Sequence, residues 1–141
     1  MLTYLIDDDP ISLYLAEQVL LDEGLVTEIQ LFGAAEDALR CLVPRLATAL
    51  PQLILLDLNM PLMDGWQFLD ALAPHAAALR RGGCHLYILT SSLATADVAK
   101  VKQYELVTAI IHKPIGAAEV QAIKAQLAVA APKPGSAARV G

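Results

Sequence analysis

Five short apolar runs, each followed by a stretch with helical spacing, constrain how this chain can fold more than any other feature. The runs are Leu2 to Ile6, Val26 to Phe32, Leu53 to Leu56, Cys84 to Leu89 and Val107 to His112. Asp9-Pro10 is a good helix start after the first, because the carboxylate can cap free N–H groups and proline at the first helical position loses no hydrogen bond. Ile11, Leu15 and Val19 then recur at helical spacing, Leu13, Ala16 and Leu20 widen that stripe, and Gly24 ends it. Ala35, Leu39, Leu42 and Leu46 mark a second helix that Pro44 should break near Val43. Asp64-Gly65 opens a third, with Trp66, Leu69 and Leu72 inward, and Arg80 to Gly83 reads as a loop. Ala94, Val98 and Val101 mark a fourth, and Val120, Ile123 and Leu127 the last. The unbroken apolarity of Leu53 to Leu56 suits a strand buried on both faces. Strict alternation implies an α/β, doubly wound, five-stranded parallel sheet flanked by five helices, with right-handed crossovers. The common order is 2-1-3-4-5, with its ligand site at the carboxyl ends of strands one and three.

Length and composition fit one domain. The chain has 141 residues, 56% hydrophobic and 18% charged, which excludes disordered and collagen-like classes. Residues 1–131 form the expected domain, and 132–141 a flexible tail with little to bury. Ten basic residues against fifteen acidic ones give a net charge of −5, no electrostatic footprint for nucleic acid or an anionic membrane. Cys41 and Cys84 form no C-x-x-C pair and join no zinc-like cluster. The N-terminus runs at once into acids and is no signal peptide. The longest apolar run, Leu127 to Ala131, is far below the ~18 residues that suggest a membrane span. The expectation is a soluble cytoplasmic protein.

Four of the five strands end in a reactive polar residue: Asp7-Asp8, Asp57, Thr90 and Lys113. In a parallel sheet these ends share one edge, so residues remote in sequence should converge on one cleft. Three carboxylates packed together raise one another's pKa unless a cation sits among them. Hard oxygen ligands with open positions suit Mg²⁺, which keeps waters and meets phosphate oxygens. A carboxylate nucleophile can form an aspartyl-phosphate, and phosphoryl transfer needs positive charge on the equatorial oxygens. Asp57, on the central strand, is the natural nucleophile, while Lys113 and Thr90 would supply charge and a hydroxyl. Asp9 reads as a helix cap rather than a ligand. His75 and His85 read as surface or loop residues, and His112 as a packing or surface residue. Met60, Met63 and Trp66 read as packing, and Asn59 can contribute its backbone carbonyl. Singly each signal is weak; four on one edge are not coincidence.

At these residues the chain resembles the receiver domain of two-component response regulators. The resemblance rests on Leu5-Ile6-Asp7-Asp8-Asp9-Pro10, the segment from Leu55 to Gly65 with Asp57, Pro61 and Asp64-Gly65, Ile88-Leu89-Thr90-Ser91, and Lys113-Pro114. It covers residues 1 to 130 and implies the flavodoxin-like receiver fold. It implies that Asp57 is the phosphoryl acceptor and that Asp7, Asp8, Asp57 and the Asn59 carbonyl hold Mg²⁺. Thr90 is then the switch hydroxyl that moves to the phosphoryl oxygens, Lys113 the cationic partner of those oxygens, and Lys113-Pro114 a cis peptide. Ser91 is small enough for donor access, and Asn59 and Ser92 occupy positions that tune phosphoaspartate hydrolysis. A sensor histidine kinase or His phosphotransfer protein would donate the phosphoryl group. The output would be an unknown protein bound on the face of the fourth helix, fifth strand and last helix, or phosphorelay. The chain departs from the family at Ile110, where an aromatic residue is usual. The expectation is a stand-alone receiver with no output module after the last helix, and the only catalysis implied is of its own phosphorylation and dephosphorylation.

Three rival readings are weaker. A haloacid-dehalogenase-type phosphohydrolase wants an acid where Asn59 stands, and a cap domain. An FMN-binding flavodoxin-like carrier wants a Gly- and hydroxyl-rich phosphate loop where Asp7-Asp8-Asp9-Pro10 stands. A degenerate, phosphorylation-independent scaffold is disfavoured because every reactive position is filled.

Overall fold

Leu53–Leu56 (β3) is buried at every position, with helices over both faces of the sheet, which is why four apolar residues in a row are needed there. The computed structural model describes residues 2–25, 28–91 and 94–130, without the side chains of 129 and 130. Leu2–Ile6 (β1), Glu28–Phe32 (β2), His85–Thr90 (β4) and Val107–His112 (β5) complete a parallel sheet in the order β2-β1-β3-β4-β5. Val26 and Thr27 of the expected second strand, Ser92, and the 132–141 tail lie outside the described residues.

Pro10–Asp22 (α1) begins as its sequence demands, with the Asp9 carboxylate accepting from the Ile11 N–H at 3.0 Å. It ends at Gly24, whose φ of +69° favours glycine. Its inward face differs from the periodicity reading. Ala16 and Leu20 are buried and Leu13 and Val19 pack beside them, whereas Ile11 and Leu15 face outward with Tyr14. Apolar residues occupy both faces of this helix, so spacing alone could not fix its phase.

Ala35–Leu42 (α2) stops where Pro44 breaks it, and the chain continues as a 3₁₀ turn over Val43–Arg45. The third helical connection is split. Gly65–Leu72 (α3) and Ala76–Arg81 (α4) are joined by a 3₁₀ turn at Ala73–His75, because Pro74 cannot continue the ladder. The helix thus runs into the stretch expected to be loop. Phe68, with Leu69 and Leu72, makes its buried stripe, and Trp66 is half-buried. Thr95–Val101 (α5) and Ala117–Ala130 (α6) supply the last two layers, with Val101, Val120 and Ile123 buried as expected.

Two cores result, one on each face of the sheet. One gathers Tyr4, Ile54, Leu56, Phe68 and Ile88 under α2, α3 and α5, and the other Leu5, Leu55, Leu89, Ile111 and Ile123 under α1 and α6. At roughly 2 kcal/mol per fully buried aliphatic side chain, these layers hold the sheet rigid. They fix the strand ends, where the polar residues stand.

Candidate acidic site at the strand ends

The ladder continues past the strands. Asp7 N–H donates to the Phe32 carbonyl at 3.0 Å, Asp57 N–H to Ile6 at 2.9 Å, and Lys113 N–H to Thr90 at 2.8 Å. Each strand end is thereby locked to its neighbour, and the four predicted polar groups meet at one edge. Asp7, Asp57 and Thr90 are buried, and Asp8 is exposed at the rim. Carboxylate oxygens of Asp7, Asp8 and Asp57 all lie within 4.8 Å of one another.

Lys113 holds this cluster together. Its Nζ donates to Asp7 Oδ2 at 2.6 Å and stands 3.6 Å from Asp57 Oδ1. Burial works against its charge, but the Asp7 hydrogen bond and the Asp57 carboxylate prevail and hold its pKa above the ordinary value. Asp7 Oδ1 also accepts from the Asp9 N–H at 3.0 Å, which turns the chain into α1. Burial, then the charge of Asp7, pushes the Asp57 carboxyl up to about 6, against the pull of Lys113 and a hydrogen bond from the Asn59 N–H. Lys113-Pro114 is cis.

A second device positions Asp57. The Gly65 N–H donates to the Leu58 carbonyl at 2.9 Å. A Cβ on Gly65 would lie 2.7 Å from Leu58 Cα and 2.8 Å from the Asp57 carbonyl oxygen, so only glycine lets α3 sit this close. Asp64 and Gln67 form a capping box, each accepting a backbone N–H at 2.9 Å, which fixes the start of that helix. Sequence reasoning recognised Asp64-Gly65 as a helix start but not its contact with the Asp57 backbone, which spacing does not reveal. His112 is exposed with Nε2 3.2 Å from the Ser91 carbonyl, and His85 is half-buried at the start of β4 rather than in a loop.

The donors fit a hard divalent cation: three carboxylates, one exposed and without a partner among the described residues, around a carboxyl that is costly to charge. Asp8→Asn should leave the metal-free melting temperature unchanged or raise it, since Asp8 adds to the repulsion on Asp57. The same change should weaken Mg²⁺ binding, as thermal melts with and without Mg²⁺ would show. Lower metal-free stability together with normal Mg²⁺ binding would instead mark Asp8 as structural.

Fold and site together define a doubly wound α/β domain with an acidic, lysine-bridged centre at its topological switch point. The family model of the response regulator receiver domain matches residues 3–124, and the chain belongs to that family. It is similar to a two-component response regulator from Cytophaga hutchinsonii, at 27% identity over 91% of this chain and 96% of that one, with a TM-score of 0.80. The bacteriophytochrome response regulator AtBRR is 25% identical over 89% of this chain and 90% of that one, with a TM-score of 0.71. A response regulator receiver protein from Dyadobacter fermentans shares the fold, with a TM-score of 0.75 at 24% identity over 92% of this chain and 97% of that one. No curated protein matches the chain.

Proposed function

We propose that Asp57 accepts a phosphoryl group from a phosphohistidine of a sensor kinase or phosphotransfer protein, and that the chain signals by changing what it binds. The observation that carries this reading is the Lys113 ammonium lying between the buried Asp7 and Asp57 carboxylates. A Mg²⁺ ion held by Asp7, Asp8, Asp57 and the Asn59 carbonyl would supply positive charge for the phosphate oxygens. Asp57 is the nucleophile: a carboxylate oxygen bonds to phosphorus as the donor's nitrogen leaves with the bonding pair. Lys113 favours the charged form of Asp57 against burial and the Asp7 charge, and stands where the phosphoryl oxygens would accumulate negative charge. Thr90, at the end of the neighbouring strand, offers its hydroxyl to the same group. The chain acts on its own aspartate rather than on a separate substrate, which separates it from phosphohydrolases. Asn59, where those enzymes place an acid, supports this.

The outward apolar face of α1 suits the donor. Ile11 is 70% and Leu15 50% exposed, and a cavity of about 240 Å³ runs from them past Asp9 to Lys113 and Pro114. A donor helix seated there would bring its histidine to the acidic centre. No helix among the described residues is long and apolar enough to cross a membrane; a cytoplasmic location, where such kinases present their phosphohistidine, belongs to the proposal.

Acetyl phosphate with Mg²⁺ should add one phosphoryl group, seen by intact mass, and Asp57→Asn should lose it. Beryllium fluoride should occupy the same place. An adduct persisting at equal yield in Asp57→Asn would sink the assignment.

A further inference from the structure

Strand β5 borders the sheet, and its outer edge is open. It pairs only with β4 among the described strands, and Thr108, Ala109 and His112 are exposed. A register shift places Val107 opposite Leu86 and then Ala109 opposite Tyr87, so a bulge at Thr108 blunts one end. Beyond it, Ala109 to His112 keeps regular register. Edges are normally guarded by Lys, Pro or an inward charge. Ala109-Ile110-Ile111-His112 carries none of these.

A trough lies on each side of this edge. One, of about 480 Å³ between β5 and α6, is lined by Tyr87, Ala109, Ala122 and Ile123. The other, of about 470 Å³ between α5 and β5, is lined by Val98, Val101 and Ile110. Alternate residues of β5 face them in turn, Ile111 in the core under α6 and Ile110 against the core under α5. Tyr87 is only 4% exposed, yet its hydroxyl has no partner among the described residues, an arrangement that is costly unless something else supplies one. The charges differ at the two ends. Glu119 lines the α6 trough near His112, and Lys102 lines the α5 trough near Val107. Glu105 beside Lys102 is already paired with Arg80, and Lys102 has no ion pair among the described residues.

We propose that the Ala109–His112 edge takes a sixth strand, an extended peptide segment of a partner protein that runs antiparallel to β5. Its backbone would complete the open ladder, and its alternate side chains would enter the two troughs. Charge sets its polarity: a basic residue first, towards Glu119, and an acidic one last, towards Lys102. The side chain over Ala109 carries a hydrogen-bonding tip that meets the Tyr87 hydroxyl. A second copy suits the site less well. Two β5 strands paired about a two-fold axis would set Gln126 against Glu119 and His112 against Lys102, with opposite charge at neither end. This docking extends the output-face reading but needs no phosphoryl group on Asp57, so the two readings fail separately.

The test is selection of displayed random hexapeptides on the unphosphorylated wild-type protein, counter-selected on Ala109→Lys. That substitution places a guard charge on an exposed position and should leave the melting temperature unchanged. Enriched peptides should alternate large apolar with other residues, basic first and acidic last. As synthetic peptides they should shift the amide resonances of residues 109–112 and bind Ala109→Lys at least tenfold more weakly. Tyr87→Phe should bind them several-fold more weakly while melting higher than wild type. No enrichment over Ala109→Lys, or peptide-induced shifts on α1 instead of β5, would overturn the proposal. So would a wild-type dimer in light scattering that Ala109→Lys dissolves, since a second copy would then own the edge.

Discussion

Asp57→Asn should make the metal-free protein markedly more stable to urea above neutral pH, and the gain should vanish in acid. The Asp57 carboxyl is raised from 3.8 to about 6 in the fold, by burial first and the Asp7 charge second. Below about pH 4 the carboxyl is protonated in both folded and unfolded chains, and the site costs nothing. Between about pH 4 and pH 6 the folded chain holds the proton that the unfolded chain has lost, so wild-type stability falls as pH rises. By about pH 7 nearly the whole penalty is present, about 3 kcal/mol for a carboxyl raised from 3.8 to about 6. Asparagine removes the charge at nearly the same volume but gives up the Lys113 attraction, so the net gain should be on the order of 2 kcal/mol. Lys113 keeps its 2.6 Å bond to Asp7 in the variant, which limits that loss. Urea unfolding of both proteins at about pH 3.5 and pH 7.5 checks this. Added Mg²⁺ should narrow the gap by stabilising the wild type through mass action. Equal stability at both pH values would mean that Asp57 is not held in a repulsive, desolvated place.

Much of this site was legible because a parallel sheet turns sequence into geometry. Asp7, Asp57, Thr90 and Lys113 each follow an apolar strand, and the topology alone brings such positions together. The wholly buried Leu53–Leu56 and the break at Pro44 were readable for similar reasons, since each depends on one local constraint. What escaped depends on three-dimensional neighbours. The phase of α1 was hidden because Ile11, Tyr14 and Leu15 are as apolar as the residues facing inward. The split at Pro74 was missed because Trp66, Leu69 and Leu72 keep helical spacing right up to it. Nothing in the spacing shows that Gly65 sits so close to the Asp57 backbone that a Cβ would clash, or that the Tyr87 hydroxyl lacks a partner among the described residues.

The structure also changes how the missing aromatic at position 110 can be understood. Ile110 is half-buried and packs against the core under α5, with a stiff β-branched side chain that has no hydroxyl to exchange between two partners. Other aromatic residues link the acidic site to that side of the molecule. Trp66 follows Gly65, whose N–H is bonded to Leu58 beside Asp57. Its ring lies under the Lys100 ammonium at 4.4 Å and beside the Tyr104 ring at 5.8 Å. Tyr104 in turn donates its hydroxyl to Asp70 of α3 at 2.8 Å. The loop that carries Asp57, α3 and α5 are thus bound by contacts that a movement at Asp57 could tighten or release.

Beryllium fluoride should therefore move α5 through Thr90 and Trp66, with Ile110 a bystander. A cation–π contact and a ring contact of this kind are each worth about 0.5–1 kcal/mol, and the Tyr104 hydrogen bond about 1 kcal/mol. Together they come to about 2 kcal/mol, which changes an equilibrium about thirtyfold if the contacts form in only one of two states. Ile110 should stay packed in both states, so truncating it should alter their stabilities alike and leave the ratio. Amide chemical shifts recorded with and without beryllium fluoride would separate these roles. Large changes should cluster at residues 90–96 and 108–115 in the wild type. Thr90→Ala should suppress most of them, because the phosphoryl mimic loses its hold on the end of β4. Trp66→Leu should keep the changes at residues 90 and 91 but lose those at 95 and 96, where α5 begins, and Ile110→Ala should preserve both sets. If Ile110→Ala abolished the response while Thr90→Ala or Trp66→Leu left it whole, the signal would run through β5 itself and this route would be wrong.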